Sequence, residues 1–358
     1  MGRDIRDIRK EIDDIDDELL DLLHRRSELS HEMGALKREL GIGIHDPSRE
    51  AAVLECLMSK VKPPLPRSLV QRVFIEIFSA SRSLQERIRI SFLGSEGSFS
   101  HQAALSLFGH DTDLVPTRDI ESIVGSVESG RTFLGVVPVE NTTEGMVNRT
   151  LDLMAASRLF VSGEILLPVK HCLLTPTPGG TIEKVFSHPQ AFAQCRNWIQ
   201  NNLPGAELVD MPSTSEAAKA AAHSTTGAAI ASSLSAELEG LTIHAENIND
   251  VQENITRFWV ISREMINDAA NTKTSIIVTL QNKPGALYDA LGVFARAGLN
   301  LTKIESRPSR KNPWEYIFFI DFQGNLLDET VSTVLRELPL YTKEITVLGS
   351  YPEGRILS

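Results

Sequence analysis

The chain has 358 residues, an apolar content of 42% and a formal net charge of −11. That length allows two or three domains with cores of their own, and the ordinary apolar share argues against a disordered chain. The negative charge argues against a nucleic-acid partner, and the apolar runs fall short of the ~18–20 residues of a membrane span.

The charged start, MGRDIRDIRKEIDD, has no secretory apolar core. Residues 3 to 40 form one helical pattern, in which Ile5, Ile8, Ile12, Ile15, Leu19 and Leu22 alternate steps of three and four. The stripe resumes at Leu29, Met33, Leu36 and Leu40, a heptad seam that Gly41 and Gly43 end. Asp46-Pro47 opens a second helix with a cap residue and a proline at the first position. Pro63, Pro64 and Pro66 separate a third, running to about Arg87. One such segment cannot bury a long seam alone, so a homodimer or a higher even-numbered oligomer is expected.

The seam position between Leu22 and Leu29 is occupied by Arg26. A guanidinium cannot be neutralised, and packing it is costly unless an anion meets it. Lys37 follows three turns along nearly the same face, roughly 16 Å away. Arg9 precedes Arg26 by roughly 25 Å and cannot serve the same site from its own chain. On the third helix Ser81 and Gln85 stand at i and i+4 and point one way, while Arg49 and Glu50 lie just inside the second. The plain alternative is that Arg26 pairs with Glu28 or Glu32 and that these polar groups are solvated.

From Ile88 the period changes. RISFLG reads as a strand, and strand-like runs recur at 133–139, 159–174, 183–187, 206–210 and 227–231, several with helical patterns between them. Residues 88–272 hold 21 of the 47 acidic side chains and 11 of the 36 basic ones, so an anion site there must use local donors. GVVPVENTTEG (135–145) is a buried strand ending in side-chain donors before the helical MVNRTLDLM. Such strand ends face the ligand crevice in open α/β sheets, and helix N-termini there attract anions. The design recurs in LGSEGSFSHQAA (93–104), VFSHPQAFAQC (185–195), MPSTSEAAKAAA (211–222, with Ser213 and Glu216 as a capping box) and NITRFWVI (254–261, with Thr256 and Arg257 at the mouth of an apolar run). Helix capping would account for many of these polar residues, and His101 and His188 are assigned no role. Cys56, Cys172 and Cys195 share no short spacing and read as reduced cytosolic thiols. From Lys273 the order strand, helix, strand, strand, helix, strand fits a ferredoxin-like domain.

Three families are resembled in turn. IRKEIDDIDDELLDLLHRRSELSHEMGALK, with HDPSRE and SASRSLQ, resembles the all-helical chorismate mutases over roughly residues 3–87. The resemblance implies that Arg9, Arg26, Lys37, Asp46, Arg49, Glu50, Ser81 and Gln85 bind chorismate, Arg9 reaching the neighbouring subunit's site. The implied rearrangement to prephenate needs no nucleophile, metal or cofactor. The arginines hold the carboxylates so that the reacting carbons meet, and Lys37 and Gln85 face the breaking ether oxygen.

GVVPVENTTEG, SHPQAFAQC, STSEAA, GAAIAS and NITRF resemble prephenate dehydratases, in that family's order. The resemblance implies a two-lobed fold similar to periplasmic binding proteins, with the site between the lobes. Asn141, Thr142, Ser187, Gln194, Ser213, Thr214, Thr256 and Arg257 are the expected prephenate ligands. Thr256 would assist departure of the ring hydroxyl, and Arg257 would hold a carboxylate or order the loop. One departure is Ser95, where the family more often has proline.

Residues 273–350 resemble an ACT domain, implying phenylalanine as effector through Gly285, Ala286 and Leu287 and through Glu305, Ser306 and Arg307. The chain is thus read as a helical domain (1–87), a two-lobed α/β domain (88–267) and an α+β regulatory domain (273–352), in a cytoplasmic enzyme. A non-catalytic amino-acid sensor would have no need of Arg26, Lys37, Arg49 and Gln85. A dehydrogenase would need G-x-G-x-x-G, whereas Gly41-Ile42-Gly43 lacks the third glycine and follows a helix. A preference for arogenate over prephenate stays open.

Overall fold

The computed structural model describes residues 4–41, 43, 45–266, 272–309, 315–354 and 356. The expected helix start at residue 3, the boundary at 267 and the strand start at Trp314 lie outside the described residues.

The first domain is α1 (Ile5–Leu40), α2 (Pro47–Lys60) and α3 (Arg67–Gln85). Asp4 caps α1, and Gly41 ends it in the left-handed conformation. The seam of α1, from Ile5 to Leu40, is left 41 to 69% exposed in the single chain. Full burial of such a side chain is worth roughly 1.5–3 kcal/mol, so this stripe is built to be covered. Where α1 meets α3, a Cβ on Gly34 would lie 2.9 Å from the Gln85 Cα. Glycine there lets the two backbones approach closely.

The second domain has two lobes. The first contains β1 (Arg89–Leu93), α4 (Phe99–Phe108), β2 (Asp113–Thr117), α5 (Ile120–Glu128), β3 (Leu134–Asn141), β4 (Gly145–Met146), α6 (Asn148–Ala156) and β5 (Phe160–Pro168). The second contains β6 (Cys172–Thr175), β7 (Lys184–Ser187), α7 (Pro189–Gln194), α8 (Arg196–Asn202), β8 (Glu207–Asp210), α9 (Thr214–Ala222), β9 (Gly227–Ala231), α10 (Ser233–Glu239) and β10 (Thr242–Ala245). The chain then returns to the first lobe as β11 (Ile255–Ser262). The sheets run β2-β1-β3-β11-β5, with β4 on β3, and β10-β6-β9-β7-β8. Two crossings join the lobes, at residues 169–171 and 246–254.

The expected strand at 159–174 is therefore two strands in different sheets, because the chain leaves the first lobe after Pro168. β2, β4 and β10 are additions, and α6 accordingly begins at Asn148 and not at Met146. β2 and β10 are short edge strands, half-buried or exposed along their length, so neither shows the apolar run of a central strand.

The third domain follows as β12 (Lys273–Leu280), α11 (Ala286–Ala297), β13 (Leu301–Pro308), β14 (Tyr316–Gln323), α12 (Glu329–Glu337) and β15 (Thr342–Tyr351), with sheet order β13-β14-β12-β15. That is the ferredoxin-like arrangement. One face of the sheet packs Ile276, Val278 and Phe322 against Phe294 and Val331 of its helices. The other packs Ile277, Phe319, Leu348 and Tyr351 against Val161, Trp259 and Ile261 of the first lobe. At Gly349 an added Cβ would stand 2.2 Å from the Val161 carbonyl oxygen, so β15 lies directly on β5.

Candidate active sites

In the helical domain Arg26 crosses to α3 rather than pairing with Glu28 or Glu32. Its Nη1 donates to Ser81 Oγ and, at 3.5 Å, to the Ile77 carbonyl, with the Phe78 ring 5.7 Å from the guanidinium carbon. Burial lowers its pKa, and the nearby charge of Glu50 raises it. Glu50 accepts two bonds from Arg82 Nη1, at 2.5 and 2.6 Å. Burial pushes the Glu50 carboxyl up, while Arg82, and more weakly Lys37, pull it down.

Arg82 was not singled out in the sequence. It is 3% exposed, and its Nη2 donates at 2.7 Å to the carbonyl of Phe108 at the end of α4, joining the first two domains. Asp46 serves as the cap of α2, accepting from the Arg49 N–H at 2.9 Å. Gln85 has a buried Oε1 with no hydrogen-bond partner, and its backbone carbonyl accepts from Arg38 at 2.8 Å. Arg26, Glu50, Ser81 and Gln85 thus lie where α1, α2 and α3 meet, with the charge of Lys37 reaching Glu50. Arg9 stays on the exposed stretch of α1.

In the second domain the ends of β3 and β11 meet the two crossings. Thr256 pairs with Asn141 in register, and Asn141 Nδ2 donates to Thr256 Oγ1 at 2.8 Å and to Asn254 Oδ1 at 2.7 Å. Asn254 Nδ2 donates to Gln194 Oε1 at 3.1 Å, and Gln194 Nε2 donates to Glu144 at 3.3 Å. His171 Nε2 lies 3.0 Å from the same Gln194 oxygen. An amide oxygen can only accept, so the His171 proton sits on Nε2. Burial lowers the His171 pKa, keeping the ring neutral. The chain Thr256–Asn141–Asn254–Gln194 therefore spans both lobes with every amide oriented. Thr256 Oγ accepts a bond there, which leaves its own hydrogen to donate.

His171, Asn254 and Glu144 were not among the expected residues. His171 lies in the first crossing, which carries no periodic pattern, whereas Asn254 opens the NITRF motif and Glu144 follows ENTT, both in motifs already noted. Thr142 Oγ1 donates to the Glu253 carbonyl at 2.8 Å and accepts from the Ile255 N–H at 2.9 Å, pinning the loop. Ser213 caps α9, where Thr214 is the first residue. Ser95 reaches across the lobes to Ser215 at 2.8 Å.

Two expectations need correction. Ser187 is fully buried, and its hydroxyl donates to the Ile230 carbonyl at 2.7 Å. It ties β7 to β9 and does not face the cleft. Arg257 does not face it either, because strand side chains alternate and Thr256 takes the cleft side. Arg257 is 7% exposed and donates to Glu164 at 2.7 Å, to Asp321 at 2.6 Å and to the Tyr351 hydroxyl at 3.1 Å. Burial alone would lower its pKa, but Tyr351, Asp321 and Glu164 outweigh it and the guanidinium is held charged.

In the third domain Gly285 precedes α11 with φ 78°, and Ala286 is buried. Leu287 packs against the same core, so the backbone here is what remains to meet a ligand. Along β13, Glu305 and Arg307 alternate with the exposed Ser306. Arg307 donates to Asp152 of α6 at 2.9 Å, tying β13 to the first lobe.

Comparison with known proteins follows this division. Family models match at residues 8–86 (chorismate mutase type II), 90–266 (prephenate dehydratase) and 274–340 (ACT domain). A bifunctional chorismate mutase/prephenate dehydratase from Aquifex aeolicus is 41% identical over 356 residues, covering 98% of both chains. Among solved structures, prephenate dehydratase from Arthrobacter aurescens in complex with L-Phe matches with a TM-score of 0.67 at 33% identity, over 74% of this chain and 90% of that one. A protein described as a novel type of quorum quenching acylase matches with the same score at 31% identity, over 74% and 98%. The class is that of a two-lobed dehydratase domain carrying a helical mutase domain before it and an ACT domain after it. The chain belongs to the bifunctional chorismate mutase/prephenate dehydratase family.

Proposed function

We infer that the chain converts chorismate to prephenate in its first domain (1–87), and prephenate to phenylpyruvate in its second (88–267). Phenylalanine inhibits it through its third (273–352), and it works as a cytoplasmic homodimer or higher even-numbered oligomer. The observation that carries the dehydratase reading is the bond from Asn141 to Thr256 at the meeting of the lobes. It orients a hydroxyl whose proton is available to a departing ring hydroxyl, and aromatisation drives loss of carbon dioxide. Arg257 serves this site by holding β11, not by touching substrate.

For the mutase, Arg26 and Arg49 hold the substrate carboxylates, with Arg9 supplied by the partner subunit across the α1 seam. Lys37 and the Gln85 amide stabilise the ether oxygen as charge develops, each donor worth about 3 kcal/mol. Asp46 and Ser81 place Arg49 and Arg26 through the bonds described. The acylase likeness has no observation in its favour here. The purified chain given chorismate should lose the absorbance of its ring diene and enol ether and yield phenylpyruvate by mass. Unchanged chorismate would defeat the reading, and the same assay on arogenate measures which substrate is preferred.

A further inference from the structure

The register of two strand pairs places four charges in a square between the second and third domains. On β3 and β11, Asn141 pairs with Thr256, and the next pair along is Glu140 with Arg257. The first pair faces the cleft and the second faces the ACT sheet. On β13 and β14, Lys303 pairs with Asp321. Across the interface Lys303 Nζ bonds Glu140 Oε1, and Arg257 Nη1 bonds Asp321 Oδ2 at 2.6 Å.

Each catalytic candidate is thus one peptide bond from a side chain gripped by the third domain. Lys303 itself lies two residues before Glu305 of the ESRP motif. Glu164 steadies the square, meeting Arg257 at 2.7 Å and Lys273 at 3.0 Å. Ser275 ties Asp321 to Tyr351, at 2.5 Å on each side. Arg257 and Asp321 are buried, and parting them leaves desolvated ions unpaired, while Lys303 and Glu140 are about a quarter exposed and add a second, wetter tie. A shift of β13 against the first lobe must therefore either break the square or move Glu140 and Arg257, and with them Asn141 and Thr256.

We propose that this square, Glu140–Lys303 and Arg257–Asp321, couples the state of the ACT domain to the Asn141–Thr256 pair. The proposal rests on the reading of that pair as the dehydratase site and specifies how the site is regulated. Spatial intermediacy alone does not establish coupling, so the test separates binding of phenylalanine from its effect.

Lys303→Met removes one side of the square at a half-buried position, and Asp321→Asn removes the other while keeping the shape. Lys303→Arg keeps the charge. In the full-length protein, Lys303→Met and Asp321→Asn should bind phenylalanine by calorimetry while its inhibition midpoint rises at least tenfold. Turnover without phenylalanine should stay within about threefold of wild type, and Lys303→Arg should restore the inhibition. Calorimetric melts of the same preparations report folding. Wild-type inhibition curves in both variants would overturn the proposal. So would loss of inhibition together with loss of phenylalanine binding, since these residues would then belong to the effector site. Thr256→Val tested alongside speaks to the site itself: if it keeps dehydratase activity, the reading of the cleft fails independently of the coupling result.

Discussion

On β11 the pleat turns neighbouring side chains to opposite faces, and this separates Thr256 from Arg257. Thr256 is bonded to an oriented amide, whereas Arg257 is surrounded by buried partners. Removing one member of a buried ion pair costs about 3–5 kcal/mol. Arg257→Ala should therefore lower the thermal midpoint measured by calorimetry, and Thr256→Val should leave it close to wild type. An unchanged midpoint for Arg257→Ala would contradict the structural role. His45 is a second buried group with a consequence. Its ring lies tilted against that of Phe108, with centroids 5.8 Å apart, and burial, with Arg82 and Lys37 nearby, lowers its pKa to about 3. Between that value and the ordinary 6.5 the folded state binds fewer protons than the unfolded state. Stability should thus fall as pH drops through this window. Circular-dichroism melts of wild type and His45→Leu should show a shallower decline in the variant, and parallel declines would refute the assignment.

At the level of elements, the helices of the first and third domains and most strands were legible because each carries a clean period. The 3.6-residue stripe marked α1, Asp46-Pro47 marked the start of α2, and turn residues bounded the strands of the third domain. The break at 169–171 was hidden because an apolar run reads alike whether it stays in one sheet or crosses to another. Gly34 shows what an element demands of one residue. A methyl group there meets the Gln85 backbone, which cannot rotate away as a side chain would. Overpacking of this kind costs about 1–3 kcal/mol. Gly34→Ala should accordingly separate α1 from α3, cutting chorismate turnover while prephenate turnover persists. Equal mutase rates would show that the helices can adjust.

For the whole molecule, the unpartnered seam of α1 is the feature that demands a second copy. Leu19→Lys should give a monomer by sedimentation and lose mutase activity, because Arg9 would no longer reach a neighbouring site. A fully active monomer would contradict that arrangement. The candidate sites were legible where a motif sits at a strand or helix end, as with Asn141, Gln194 and Thr256. They were not legible where long-range packing decides. His171 lies in a crossing, Arg82 is placed by its contact with α4, and Arg257 is turned away by the sheet it supports. The most direct test of two successive sites in one chain is to give chorismate to three proteins and identify the products by mass. Wild type should yield phenylpyruvate, Thr256→Val should accumulate prephenate, and Lys37→Ala should leave chorismate unconverted. Phenylpyruvate formed at the wild-type rate by Thr256→Val would contradict the account.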